Sequence, residues 1–233
     1  MKRLALFARA PVPGSVKTRL SPALPPRLAC DLYRGMLADS IRVLLAARVD
    51  ERRLFLADDA PGSRPLLPDG VREAPQVGDD LGARLQHAFQ VMFGAGADQA
   101  VIFGADCPWL EAPAVNRAFD ALERVDLVLG PASDGGYTLI GLARAVPDLF
   151  RGIAWGTDRV LAETLERANA VGLSIAKLET LEDLDTPADL VRALATLLAR
   201  PSAAPNTRRA LASMGLLPPP AATSSRPPAS AAP

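Results

Sequence analysis

Gln99-Ala100-Val101-Ile102-Phe103-Gly104-Ala105-Asp106-Cys107-Pro108 is an apolar run that ends abruptly in a carboxylate and a proline. So short and continuous a run reads as a strand covered on both faces, and Pro108 stops the ladder from continuing beyond it. Strands buried on both faces belong to mainly parallel sheets lying between helices. The pattern recurs outward along the chain, with strand-like runs at 3–8, 52–57, 127–130, 137–142 and 174–178. Amphipathic segments alternate with them at about 26–47, 81–93, 112–124, 158–171 and 188–200. In the first of these, Leu28, Leu32, Met36, Leu37, Ile41, Leu44 and Leu45 recur at helical spacing. Strands joined by helical crossovers predict a three-layer α/β/α sandwich around a mixed, mostly parallel sheet. The mixture enters between 127–130 and 137–142, because Pro131 to Gly136 is too short for a crossover and suits a reversing turn.

Composition bounds what such a domain can do. The 233 residues carry 26 basic and 26 acidic side chains, so no overall charge draws the chain to a polyanion, and nucleic acid is not the expected ligand. Two cysteines, Cys30 and Cys107, are too few and too far apart for a disulfide scaffold or a zinc site, which suits a reducing cytoplasm. The apolar start is broken at Arg9 and followed by prolines, too short for a signal peptide or a membrane span. A single histidine, His87, leaves acid, base and metal chemistry to carboxylates. Composition changes near Arg200, so the expected division is a domain over 1–200 and a Pro/Ala/Ser-rich, disordered tail over 201–233, with at most a brief helix near 206–213.

Open α/β sheets bind ligands at the carboxyl ends of their strands. After the first strand comes Ala10-Pro11-Val12-Pro13-Gly14-Ser15-Val16-Lys17-Thr18-Arg19-Leu20, able to lay backbone N–H groups and cations against phosphates, or to be a solvated Pro/Gly loop. It is neither a Walker loop nor a dinucleotide fingerprint. Asp106 stands at a strand's carboxyl end, as a ligand for a hard cation or as a cap for the turn that follows. In Glu182-Asp183-Leu184-Asp185-Thr186-Pro187-Ala188-Asp189, an extended backbone puts Asp183 and Asp185 on one face, able to flank a metal; equally, both could just favour the positive end of the next helix. Gly78-Asp79-Asp80-Leu81-Gly82 offers an N-cap and close approach for a base or ribose. Asp134-Gly135-Gly136-Tyr137 is a reversing turn that could also floor a substrate, and Trp155 is a stacking surface or a packed core residue.

Five ordered motifs carry a resemblance: Phe7-x-x-x-Pro11-x-Pro13-Gly14-x-x-Lys17-Thr18-Arg19-Leu20, Gly78-x-Asp80-Leu81-Gly82-x-Arg84-Leu85, Gly104-x-Asp106-Cys107-Pro108-x-Leu110, Gly130-Pro131-x-x-Asp134-Gly135-Gly136-Tyr137 and Trp155-x-Thr157. Over about 1–200 the chain resembles bacterial GT-A-fold, glycosyltransferase-like proteins of the rSAM/selenodomain-associated transferase family, and more distantly phospholactate and molybdenum-cofactor guanylyltransferases. The resemblance implies a GT-A (nucleotide-diphospho-sugar transferase) fold, a phosphate-binding loop through Pro13, Gly14, Lys17, Thr18 and Arg19, and Mg²⁺ or Mn²⁺ on Asp106, Asp183 and Asp185. The guanylyltransferases' Gly-Gly pair is absent from the first loop, and Gly78, Asp80, Leu81 and Gly82 stand where their base-reading loop would be.

The expectation is therefore a divalent-metal-dependent transferase. It would move a sugar from a nucleoside diphosphate sugar to a small acceptor, with nucleotidyl transfer from a nucleoside triphosphate to a phosphorylated small molecule as the alternative. Lys17, Asp106 and Asp134 are the catalytic candidates, Asp134 as base. Gly135, Gly136, Tyr137 and Trp155 are the candidate substrate contacts.

Overall fold

The computed structural model describes residues 1–21, 23–57, 65 and 67–219. Its sheet is laid down from the first strand, β1 (Lys2–Arg9), whose side chains alternate between two cores. Leu4, Leu6 and Ala8 face one helical layer, while Ala5 and Phe7 face the other. β1 pairs in parallel with β2 (Glu51–Ala57) on one side and with β4 (Gln99–Gly104) on the other. β3 (Val71–Pro75) extends the sheet beyond β2, and β6 (Tyr137–Leu142) runs antiparallel to both β4 and β5 (Leu127–Pro131). β7 (Ile175–Lys177) closes the far edge, giving the order β3-β2-β1-β4-β6-β5-β7. The sheet is mixed and mostly parallel, as expected, and the antiparallel strand falls where the short turn required it.

Helices α1 (Pro26–Ala46) and α3 (Ala112–Ala121) cover one face; α2 (Leu81–Gly94) and α4 (Val160–Ala170) cover the other. α3 stops three residues short of the expected end, in a turn over 122–124. β3 escapes the hydrophobic pattern because Val71-Arg72-Glu73-Ala74-Pro75 is largely polar and ends in proline. Both features are tolerated on a sheet edge, where one ladder side is unused.

The expected tail needs correction. α5 (Pro187–Ala199) is followed by α6 (Pro205–Ser213), which packs on α1 with Leu211 fully buried, so the folded body continues past residue 200. Composition misled because the anchor is polar and distant in sequence. The buried Asp39 carboxylate on α1 accepts four hydrogen bonds from α6: from Asn206 N (3.1 Å) and Nδ2 (2.9 Å), and from Thr207 N and Oγ1 (both 2.8 Å). It supplies the cap that Ala204, at the helix start, cannot. Residues 220–233, the rest of the expected tail, lie outside the described residues. Asp39→Ala strands these donors and is expected to cost about 3 kcal/mol. That lowers Tm by roughly 6–12 °C in a domain of this size, readable by circular dichroism. An unchanged Tm would show that α6 does not depend on this cap.

Candidate active site

The carboxyl ends of β1 and β4 open into a cleft of about 430 Å³, within the usual range for small-molecule sites. Its floor is Phe7, Ala8, Ile102 and Phe103, and its walls include Lys17, Arg19, Arg84, Asp106, Tyr137 and Asp185. With Arg9, four cations and two carboxylates thus meet above an apolar base.

Lys17 organises the site. The loop after β1 turns at Gly14 (φ 83°) and brings Lys17 into the left-handed region (φ 51°, ψ 35°) just before a 3₁₀ turn over Thr18–Leu20. A lysine held there is conformationally strained. Its side chain is only 2 % exposed, and its Nζ donates to Asp106 Oδ1 at 2.5 Å and to Asp185 Oδ1 at 3.5 Å. Arg19 reaches the other Asp185 oxygen at 3.2 Å. Asp106 itself is open, its side chain 61 % exposed toward the cleft's mouth.

Backbone hydrogen bonds hold the carboxylate segments together. Leu184 N donates to Asp106 O at 3.0 Å, Leu181 N to Pro131 O at 2.9 Å, and Ser133 N to Leu181 O at 3.0 Å. The Asp183-to-Asp185 stretch is thereby sewn between the ends of β4 and β5. The capping duties at α5 fall elsewhere: Asp189 Oδ2 accepts from Asp185 N and Thr186 N, and Thr186 Oγ1 accepts from Asp189 N. The carboxylates of Asp183 and Asp185 are thus not used as helix caps.

Burial pushes the Asp183 carboxyl up to about 7, reinforced by the negative charges of Asp134 and Asp106 and opposed by Lys17. The unfolded carboxyl titrates near 3.8. Between these values the fold keeps a proton that the unfolded chain releases. The stability this group contributes is complete below about pH 4 and lost as pH rises through about 7. Asp183→Asn is therefore expected to stabilise the ligand-free protein by about 2 kcal/mol at pH 8 and not at all below pH 4. Denaturant melts at the two pH values check this; equal effects at both would exclude a penalised carboxylate.

Of the residues singled out in the sequence, Lys17, Thr18, Arg19, Leu81, Asp106, Tyr137 and Asp185 line the cleft. Asp183 and Asp134 lie beside its rim, coupled to Asp106 through charge. Other residues support it from behind. Asp80 caps α2, its carboxylate accepting from Ala83 N at 2.7 Å. Gly78 adopts φ 139° with Ala83 pressed against it. Gly82 makes room for an indole: a Cβ there would lie 2.4 Å from Trp155 Nε1. Trp155, read from the sequence as a stacking surface or a packed core residue and named among the candidate substrate contacts, packs against Gly82 and Phe150 and does not line the cleft. Its large apolar surface is better satisfied between α2 and the segment before α4. Pro13 and Gly14 are exposed on the loop outside the cleft, and Gly135 and Gly136 form the turn that carries Asp134, whose Oδ1 accepts from Gly136 N at 2.9 Å.

The three expected metal carboxylates do not form a ready cage. Among the described residues, no three His, Cys, Asp or Glu side chains converge closely enough to hold an ion by themselves. The Lys17 ammonium stands between Asp106 and Asp185.

Gln76 and Arg84 line the cleft although the sequence reading gave neither a role there. Gln76 donates through Nε2 to Ala8 O (3.1 Å) and Phe55 O (2.9 Å), tying the ends of β1 and β2. It follows the unrecognised strand β3, so nothing in the sequence placed it at a strand end. Arg84 donates through Nε to Gly78 O at 2.9 Å and presents its guanidinium to the cleft. Its spacing of one turn from Asp80 was the available signal.

A sheet of this order, with its cleft and carboxylates at the strand ends, defines the class of nucleotidyltransferase- and glycosyltransferase-like α/β folds. Within it, the chain belongs to the bacterial family described as "Uncharacterized protein conserved in bacteria (DUF2064)", whose profile matches residues 38–157, just over half of its length. It is 29 % identical over 178 residues to 2-phospho-L-lactate guanylyltransferase of Methanothermobacter thermautotrophicus, covering 75 % of this chain and 76 % of that protein. It is 30 % identical over 132 residues to phosphoenolpyruvate guanylyltransferase of Chloroflexus aggregans, covering 56 % and 62 % respectively. A crystal structure from Desulfovibrio desulfuricans G20, of a protein provisionally named a nucleotide-diphospho-sugar transferase, superposes with a TM-score of 0.84 at 30 % identity. The match covers 92 % of this chain and 95 % of that one. No helix among the described residues is long and apolar enough to cross a membrane.

Proposed function

We propose that this chain is a nucleotidyltransferase that joins a nucleoside triphosphate to a small phosphorylated acceptor and releases pyrophosphate. The observation that carries the proposal is the buried Lys17 ammonium in a cleft also lined by Arg19 and Arg84, facing Asp106 and Asp185. A cluster of cations suits a chain of three phosphates, and the two guanylyltransferase relatives are named for that reaction. An acceptor phosphate oxygen forms the new bond to the α-phosphorus, and the bond to the β-phosphate oxygen breaks with its electron pair leaving on pyrophosphate. Lys17 and Arg19 hold the charge that grows on the leaving oxygens, in line with Thr18 at the same loop. Leu81 and Arg84 wall the end of the cleft toward the base, and Tyr137 packs beneath the substrate.

Asp106 and Asp185 line the cleft together, two carboxylates of the kind that suffice for a divalent cation completing its shell with water and phosphate oxygens. Burial, and after it the negative charges of Asp134, Asp106 and Asp185, raise the Asp183 carboxyl, so these four carboxylates act on one another. Asp106 with Asp183 and Asp185 would hold Mg²⁺ or Mn²⁺, which take one or two carboxylates and otherwise water and phosphate oxygens. Such an ion would supply positive charge to offset that of the phosphate oxygens.

Glycosyl transfer from a nucleoside diphosphate sugar is the second reading, favoured by the extensive match to the Desulfovibrio structure. The chemistry separates the two. A phosphate acceptor is already an anion and needs no base, whereas a hydroxyl acceptor needs one, the role this second reading gives to Asp134. The test presents each of the four nucleoside triphosphates with phospholactate or phosphoenolpyruvate and Mg²⁺, and nucleoside diphosphate sugars in parallel. Pyrophosphate release that survives Asp134→Asn supports the proposal. Nucleoside diphosphate release from a sugar donor, lost in Asp134→Asn, would replace it with the second reading.

A further inference from the structure

We propose that Lys17 and the divalent cation are alternative counterions for Asp106 and Asp185, so that metal enters the cleft fully only when phosphates arrive to receive the lysine. The inference rests on the metal and phosphate roles proposed above and adds an order to them: the ligand-free cleft is latched by its own side chain.

The geometry points to competition. The Lys17 ammonium lies 2.5 Å from Asp106 Oδ1, and a Mg²⁺ or Mn²⁺ ligated by that carboxylate would sit about 2.1 Å from its oxygen. Two cations on one carboxylate, beside a buried lysine stem, repel each other strongly. The lysine cannot retreat to water, because its side chain is 2 % exposed. Released from Asp106 and Asp185, it becomes an uncompensated buried charge unless another anion takes their place. Phosphate oxygens in the cleft are that anion, and the four-carbon stem lets the ammonium move while the backbone stays in place.

Arg19 provides the internal contrast. It also touches Asp185, at 3.2 Å, but its side chain is 73 % exposed and can swing into solvent when a metal arrives. Removing the two cations changes the net charge of the site equally, yet only Lys17 occupies the position.

Mn²⁺ titration followed by electron paramagnetic resonance, without nucleotide, reads this directly. Lys17→Met is expected to bind Mn²⁺ at least tenfold more tightly than the wild type, and Arg19→Met no more than about threefold more tightly. Lys17→Arg, which keeps the charge, should bind as weakly as the wild type. Lys17→Gln serves in place of Lys17→Met if circular dichroism shows that the methionine variant is unfolded. Equal or weaker Mn²⁺ binding in the neutral variants would overturn the latch while leaving the metal site standing. Equal gains in the Lys17 and Arg19 variants would overturn it too, reducing the effect to net charge. No Mn²⁺ binding by any form, even with GTP present, would remove the metal reading itself and the latch with it.

Discussion

Asp106→Asn is expected to lower turnover by about a thousandfold while leaving a folded protein. Asp106 lines the cleft two residues beyond the end of β4, faces Lys17 at 2.5 Å and has a side chain 61 % exposed. The amide keeps the shape but surrenders the charge, removing both a metal ligand and the main partner of the buried ammonium. Lys17 retains Asp185 as a counterion, and Asp106 is largely solvated, so the stability cost should be about 1 kcal/mol. Turnover is measured by pyrophosphate release and stability by a thermal melt. Activity within tenfold of the wild type, with an intact fold, would place the chemistry elsewhere.

The second large effect is structural. Gly135 has φ 89°, and a Cβ added there would lie 2.1 Å from Asp158 O, a backbone atom that cannot step aside. Gly135 O also accepts from Leu161 N at 2.8 Å, so the turn is locked to the start of α4. Gly135→Ala is expected to cost about 3 kcal/mol or more, a Tm drop of roughly 6–12 °C, and to displace Asp134 from Asp183. Gly136 provides the comparison: its backbone is not left-handed and a Cβ would first meet the Asp134 carboxylate at 3.2 Å, so Gly136→Ala should cost about 1 kcal/mol or less. Similar melts for the two alanine variants would contradict the clash.

The sheet was readable because its strands are buried on both faces. β4 and β6 begin and end where the apolar runs do, and β1 differs from its run by one residue at each end. β3 was unreadable for the complementary reason: an edge strand with Arg72, Glu73 and Pro75 carries no hydrophobic signal. A brief helix near 206–213 was readable, but its docking as α6 was hidden because the anchor is Asp39, a charged residue on the buried side of α1 whose partners are more than 160 residues away.

The site divides in the same way. Residue types and strand ends pointed to Lys17, Arg19, Asp106 and Asp185, since chemistry gathers at the carboxyl ends of parallel strands. What they do to one another was not legible. The Lys17–Asp106 contact joins residues 89 apart, and the sewing of Leu184 to Asp106 runs through backbone atoms of which sequence gives no sign. Trp155 and Gly82 share one contact although each appeared to belong to a separate motif. Glycine there serves an indole behind the cleft, and the resemblance of motifs could not distinguish that support from a ligand contact.

The central claim is that the cleft at the ends of β1 and β4 takes the phosphates of a nucleotide, with metal on the carboxylates. A crystal grown with Mn²⁺ and a non-hydrolysable GTP analogue, measured at the manganese absorption edge, tests it most directly. The expected result is an anomalous peak ligated by Asp106 and by Asp183 or Asp185, with the Lys17 ammonium on a phosphate oxygen. A nucleotide bound away from Lys17, or manganese ligated without any of these carboxylates, would contradict it.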